Sequence, residues 1–147
     1  MLGAREKTVL ILGDGNFSFS LALADLLNKA PETKYYNLPY KTRVTSTSFD
    51  SHAHLIAKYP ESIHILGHIS KYPNFTVEHD INACHLATHY PEVRFDVIIW
   101  NHPHLGTEDF KRHQFLLAHF FKSVTDVLSP EKDSLICVSL VEGNADS

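Results

Sequence analysis

The 147-residue chain is 44% hydrophobic and 20% charged, a balance that fits one globular domain over 1–147 and excludes a disordered chain. No apolar run approaches the roughly 18 residues of a membrane span, and the start, MLGAREKTVLILGDGN, has neither the apolar segment nor the cleavage site of a secretory signal. Thirteen Lys and Arg against seventeen Asp and Glu give a net charge of −4, with no basic run longer than Lys111-Arg112, which counts against a nucleic-acid role. The eleven histidines soften that argument, because they add positive charge below about pH 6.5. Cys84 and Cys137 lack CxxC spacing, so a disulfide framework is not expected and a reducing intracellular compartment is.

Thr8–Leu12 (TVLIL) is an uninterrupted apolar run stopped by Gly13, the pattern of a buried parallel strand. Ser18–Asn28 follows with apolar residues near helical spacing. The polar stretch 29–41 carries two prolines and reads as a loop. Arg43–Ser48 predicts the second strand, Ser51–Lys58 and Ile63–Ser70 two helices, and Phe75–Glu78 a third strand. Ala83–His89 predicts a short helix, Asp96–Trp100 the fourth strand, Asp109–Leu128 a long amphipathic helix and Leu135–Val141 the fifth strand. Strands alternating with helices imply an α/β fold, a doubly wound parallel sheet with helices on both faces. Its ligand crevice is then expected at the carboxyl ends of the strands.

The residues at those ends carry the chemistry. Gly13-Asp14-Gly15-Asn16-Phe17-Ser18 follows the first strand and opens a helix. The two glycines allow a tight turn, but Ser18 stands where a dinucleotide fingerprint has its third Gly or Ala. Asp14 would repel a pyrophosphate and would suit a ligand with a sulfonium or ammonium group, such as S-adenosylmethionine; the alternative is a plain turn with a surface carboxylate. Asp50 follows the second strand, where it can accept from ribose hydroxyls or cap the next helix. Asp80 follows the third, beside an adenine amino group or again as a cap. Asn101-His102-Pro103-His104 follows the fourth, where an Asn-x-Pro turn can present an amide to a planar base, or simply leave the sheet.

Three histidine pairs raise a metal hypothesis, but only His85/His89 has i, i+4 spacing and it lacks the glutamate of HExxH. No metal is expected. GxSxG and GxxxxGK[ST] are absent.

GDGNFSFSLALA at 13–24 resembles the opening motif of the Rossmann-like RNA methyltransferases typified by the yeast 25S rRNA (uridine-N3)-methyltransferase, roughly G-[DE]-G-[ND]-F-S-F-[SA]. TSTSFDS at 45–51, VEHDINA at 77–83 and FDVIIWNHPHLG at 95–106, the last close to FDxIxFNFPHxG, follow in family order, and FLLAHFFKSVTDVL is similar to the next segment. The likeness covers about residues 8–141. Some relatives join this domain to a ferredoxin-fold anticodon-binding domain, nothing of which is seen in this sequence.

The resemblance implies a Rossmann-like S-adenosylmethionine-dependent methyltransferase fold and methyl transfer to an RNA base, N3 of a uridine in large-subunit rRNA. It places Gly13, Asp14, Gly15 and Phe17 around the methionine part of the cofactor, with Asn16 in the same loop. Asp50 falls at the ribose, Asp80 near the adenine, and Asn101 to His104 opposite the target base. His104, then His102, are the candidate bases for the uracil proton. Phe17, Phe19 and Trp100 are the rings available to stack on an unpaired base, with Trp100 read chiefly as core.

Two departures accompany it. His102 stands where the family has Phe, and the chain stops at VEGNADS, after strand five. We therefore expect a fold truncated there, whose open strand-five edge invites a protein partner or self-association. Ribosomal RNA is the expected substrate partner, with nucleolar or cytoplasmic placement. The competing readings are an inactive methyltransferase-like module acting through cofactor or partner binding, and a nicotinamide-dependent oxidoreductase.

Overall fold

Alternate residues of the first strand face opposite ways, and each set is buried. In the computed structural model, which describes residues 6–29, 42–101, 103 and 110–140, β1 spans Lys7–Leu12. Val9 and Ile11 join a core with Leu23, Leu27, Leu55 and Ile69. Leu10 and Leu12 join a second core with Leu86, Ile98, Phe120 and Val124. A strand apolar on both faces lies at the centre of a three-layer sandwich, and β1 does.

The first core is roofed by α1 (Ser18–Lys29), α2 (His52–Lys58) and α3 (Ser62–Ile69). The second lies under α4 (Leu86–His89) and α5 (Phe110–Val124). With β2 (Thr42–Thr47), β3 (Phe75–Glu78), β4 (Val97–Asn101) and β5 (Leu135–Ser139), the sheet is fully parallel in the order β3-β2-β1-β4-β5. The chain runs outward from β1 to β3, then returns to place β4 against the other side of β1. The strand order therefore reverses between β1 and β4, where a doubly wound sheet opens its ligand crevice.

Most elements begin or end within a residue or two of the expected bounds, and three differences bear on the argument. The helix expected over Ala83–His89 is a single turn, because Asn82 Oδ1 takes the Cys84 N–H at 2.9 Å and holds the segment in a turn. The long helix ends at Val124 rather than Leu128, because Leu128 bridges Phe95 and Phe95 N donates to Val127 O at 2.7 Å. β4 runs one residue further than expected, so Asn101 ends the strand itself, paired with Ser139. Asp109 and Val141 lie outside the described residues.

β2 is rich in hydroxyls yet buried. Thr47 Oγ1 donates to Ile11 O at 2.8 Å, so its side chain joins β2 to β1 instead of facing apolar neighbours unpaired. Among the described residues β5 forms one edge of the sheet, with Leu135 and Leu140 exposed.

Candidate functional site

The loop after β1 runs at positive φ at Gly13 (54°), Gly15 (66°) and Phe17 (72°), a region that glycine enters freely and other residues at a cost. A Cβ on Gly13 would sit 3.0 Å from Trp100 Nε1, whereas one on Gly15 would meet nothing within 4 Å. Gly13 is thus required twice, by its backbone and by the indole beside it. Trp100 pairs with Leu12 across β1 and β4, which brings its ring over the loop.

Two side chains of this loop satisfy the start of α1. Asn16 Oδ1 accepts from Ser18 N at 3.0 Å, and Asp14 Oδ2 accepts from Ser20 N at 2.8 Å. The first N–H groups of a helix have no intrahelical partner and form a ready anion site. Here the chain's own amide and carboxylate take two of them. Burial pushes the Asp14 carboxyl up from its ordinary 3.8 to about 6, with the hydrogen bonds from Ser20 opposing the shift. Asp14 is therefore a desolvated carboxylate facing the cleft, not a surface residue of a plain turn.

The ends of β2 and β3 are laced together. Ser48 N donates to Glu78 O, Ile81 N to Ser48 O and Asp80 N to Asp50 O, at 3.0, 3.0 and 3.2 Å. Ser48 Oγ lies 2.7 Å from both Asp50 O and His79 Nδ1. Burial, and then the neighbouring His52, hold His79 below the ordinary imidazole range. Ser51, not Asp50, caps α2, accepting from His54 N at 3.2 Å. That leaves the Asp50 carboxylate on the cleft wall.

The cleft over the β1/β4 crossing has a volume of about 790 Å³, within the range of small-molecule sites. Gly13, Asp14, Gly15, Asp50 and Asn101, all candidates from the sequence, line it. Phe19 and Trp100 line it too, Trp100 while also packing edge-on against Phe120 at 4.7 Å.

Three predicted contacts are placed elsewhere. Phe17 is fully buried: its positive φ turns the ring into the first core, edge-on to His79 at 5.9 Å, so it anchors the loop instead of touching a ligand. Asn16 is spent on Ser18 and on Glu61 Oε1 at 3.2 Å. Asp80 is exposed at φ 61°, and the left-handed turn there brings Ile81, Asn82 and Ala83 to the wall in its place. Sequence reasoning missed that trio, and also Lys58 and Tyr59 at the end of α2. The only sequence signal for them was their position just after a strand or a helix. His102 and His104 lie outside the described residues.

Among the described residues no group of three or more His, Cys, Asp or Glu could hold a metal ion, and no helix is long and apolar enough to cross a membrane.

The profile of the BMT5-like family, described as rRNA (uridine-N3-)-methyltransferase, matches residues 10–147. The chain belongs to the BMT5-like family. Two relatives agree in extent. Arabidopsis thaliana "Uncharacterized protein At4g26485" is 27% identical over 134 residues, 84% of this chain and 58% of that protein. The human ferredoxin-fold anticodon-binding domain-containing protein 1 is 29% identical over 143 residues, 93% of this chain and 20% of that protein. The chain thus spans about three fifths or less of the length of these relatives. Among solved structures it is similar to a cyclopropane-fatty-acyl-phospholipid synthase-like protein from Lactobacillus casei, with TM-score 0.57 and 19% identity over 83% of this chain and 39% of that one. At that identity the likeness speaks for the Rossmann-like methyltransferase fold alone. Within the residues matched by the BMT5-like profile, the Gly13–Ser18 loop and Asn101 lie at the ends of β1 and β4, the two strands that border the cleft.

Proposed function

We propose that the cleft binds S-adenosylmethionine and that the chain transfers its methyl group to an RNA base, N3 of a uridine in ribosomal RNA being the target that the family name implies. The observation that carries this reading is the occupancy of the α1 N-terminus. Asp14 and Asn16 fill the amides that a dinucleotide pyrophosphate would need, and Asp14 adds a carboxylate that repels phosphate and attracts a cation. A nicotinamide cofactor is disfavoured on the same ground. A cofactor with a sulfonium, an ammonium, a ribose and a flat base fits the groups present. Asp14 balances the positive charge, Asp50 accepts from ribose hydroxyls, and Ile81 and Ala83 offer an apolar wall with the Asn82 amide beside it.

When bound, S-adenosylmethionine supplies an electrophilic methyl group. The chain's part is to hold a uracil nitrogen in line with it and to receive the N3 proton. Asn101 holds the base edge in this reading, supported by its position at the end of β4 on the cleft wall. His104, with His102 second, is our candidate for the proton acceptor. Holding the two reactants in register supplies much of the rate. Nucleolar or cytoplasmic placement belongs to the same proposal.

Trp100 is the chain's single tryptophan and lines the cleft, so its emission reports ligand entry. The test titrates the purified chain with S-adenosylmethionine and with NAD, in wild type and Asp14→Ala, then follows methyl incorporation from labelled cofactor into ribosomal RNA. Selective binding lost in Asp14→Ala, with incorporation, is the expected result. Binding without incorporation assigns a non-catalytic module. No selective binding by the folded chain overturns the reading.

A further inference from the structure

Among the described residues, the outer face of α5 is a strongly basic surface on an acidic protein. Over Phe110–Val124 it carries Lys111, Arg112 and Lys122, two histidines and no carboxylate, in a chain of net charge −4. Arg112, Phe115, His119 and Lys122 recur at spacings of 3, 4 and 3, which puts them on one stripe of the helix, and the exposed Lys111 joins it four residues before Phe115. All five are exposed, Phe115 to 66%. The opposite face, with Phe120 and Val124, is locked into the second core, so the stripe is held rigidly outward. Lys111 and Lys122 form no ion pair among the described residues.

Beneath the stripe lies a second cavity of about 330 Å³ between α4 and α5, lined by Cys84, His85, Arg112, Phe115, Leu116 and His119. Leu116 also lines the main cleft. A basic, aromatic surface therefore runs from the helix exterior to the rim of the cleft.

We propose that this α5 stripe is a docking surface for unpaired RNA, guiding a strand toward the cleft; the proposal rests on the methyl-transfer reading above. Ammonium groups on Lys111 and Lys122 match phosphates. Phe115, exposed between them, offers a face on which an unstacked base sits, a combination typical of single-strand recognition. An acidic protein surface would engage the cations but leave the Phe115 ring unused.

The test measures fluorescence anisotropy of a labelled oligouridylate of about 12 nucleotides on the full chain at several salt concentrations. It compares wild type, Lys111→Glu/Lys122→Glu and Phe115→Ala, with S-adenosylmethionine binding by Trp100 emission measured on each. The charge reversal weakens RNA binding at least tenfold and flattens the log–log salt slope by about 1.4, two phosphate contacts at roughly 0.7 each. Phe115→Ala weakens it about tenfold with the slope unchanged. Cofactor binding stays as in wild type throughout. RNA binding unchanged in both variants overturns the stripe while leaving the methyl-transfer reading standing. So does wild type that takes the cofactor but no oligonucleotide. Poly-glutamate displacing the RNA as well as unlabelled RNA does overturns it in favour of an acidic protein partner. RNA binding that depends on the stripe in a chain that takes no cofactor overturns the methyl-transfer reading instead.

Discussion

Asp14 Oδ2 receives the backbone N–H of Ser20 across the first turn of α1 at 2.8 Å, and the carboxyl that does so is held near 6 by burial. One group thus closes the helix start and sets the charge of the cleft. The two duties separate in solution.

The folded value of Asp14 lies above its ordinary one, so between about pH 4 and 6 the folded chain holds a proton that the unfolded chain has released. Stability therefore falls as pH rises through that window. Asp14→Asn keeps an acceptor for Ser20 and removes the charge. At pH 8 the variant is more stable than wild type by up to about 3 kcal/mol, and the difference vanishes below about pH 4. Urea unfolding at both pH values measures it.

Binding moves the other way. A cationic ligand needs the carboxylate, so wild-type affinity for S-adenosylmethionine drops about tenfold per unit below pH 6. In Asp14→Asn affinity is lower and flat over the same range. Calorimetric titrations at pH 5, 6 and 8 give both curves, and equal slopes in the two proteins would remove Asp14 from the binding site.

Asp50 and Ser51 are neighbours with different work. Asp50→Asn weakens cofactor binding about tenfold and leaves stability unchanged. Ser51→Ala removes the α2 cap and costs about 1 kcal/mol of stability without changing affinity. Thermal melts and titrations on the pair show whether the roles are crossed.

The two loop glycines likewise separate. Gly15→Ala meets open space and pays only for its left-handed backbone, about 1–2 kcal/mol. Gly13→Ala adds the contact with the Trp100 indole at 3.0 Å. It destabilises more, shifts Trp100 emission and abolishes cofactor binding. Identical melts and spectra for the two variants would argue that the indole yields freely.

Phe17→Ala empties a fully buried position and costs about 3–5 kcal/mol. Denaturant unfolding would reveal a loss of stability before any question of binding arises. A stable Phe17→Ala protein with weak cofactor binding would return Phe17 to the cleft.

Much of this architecture was legible in the sequence. TVLIL and DVIIW are apolar on both faces because both lie at the middle of the sheet, and the residues just after them lie at its switch point. What escaped was set by single hydrogen bonds and dihedral angles. Asn82 shortens the helix after β3 by offering its side chain to Cys84 N, and Phe95 ends α5 early by capturing Val127 O. At Phe17 and Asp80 the residue type is plain in the sequence, but positive φ angles decide which way each side chain turns. Hydrophobic periodicity carries no trace of such an angle in a non-glycine residue.

The backbone bonds that lace Ser48 and Asp50 to Glu78, Asp80 and Ile81 join two neighbouring loops into one wall. That wall is preorganised: its ordering entropy is lost once, on folding, and not again when a ligand arrives. Its integrity in turn depends on β3, four residues at the rim of the sheet. A substitution that frays β3, far from any ligand atom, is therefore felt as weaker binding at the ribose end of the cleft.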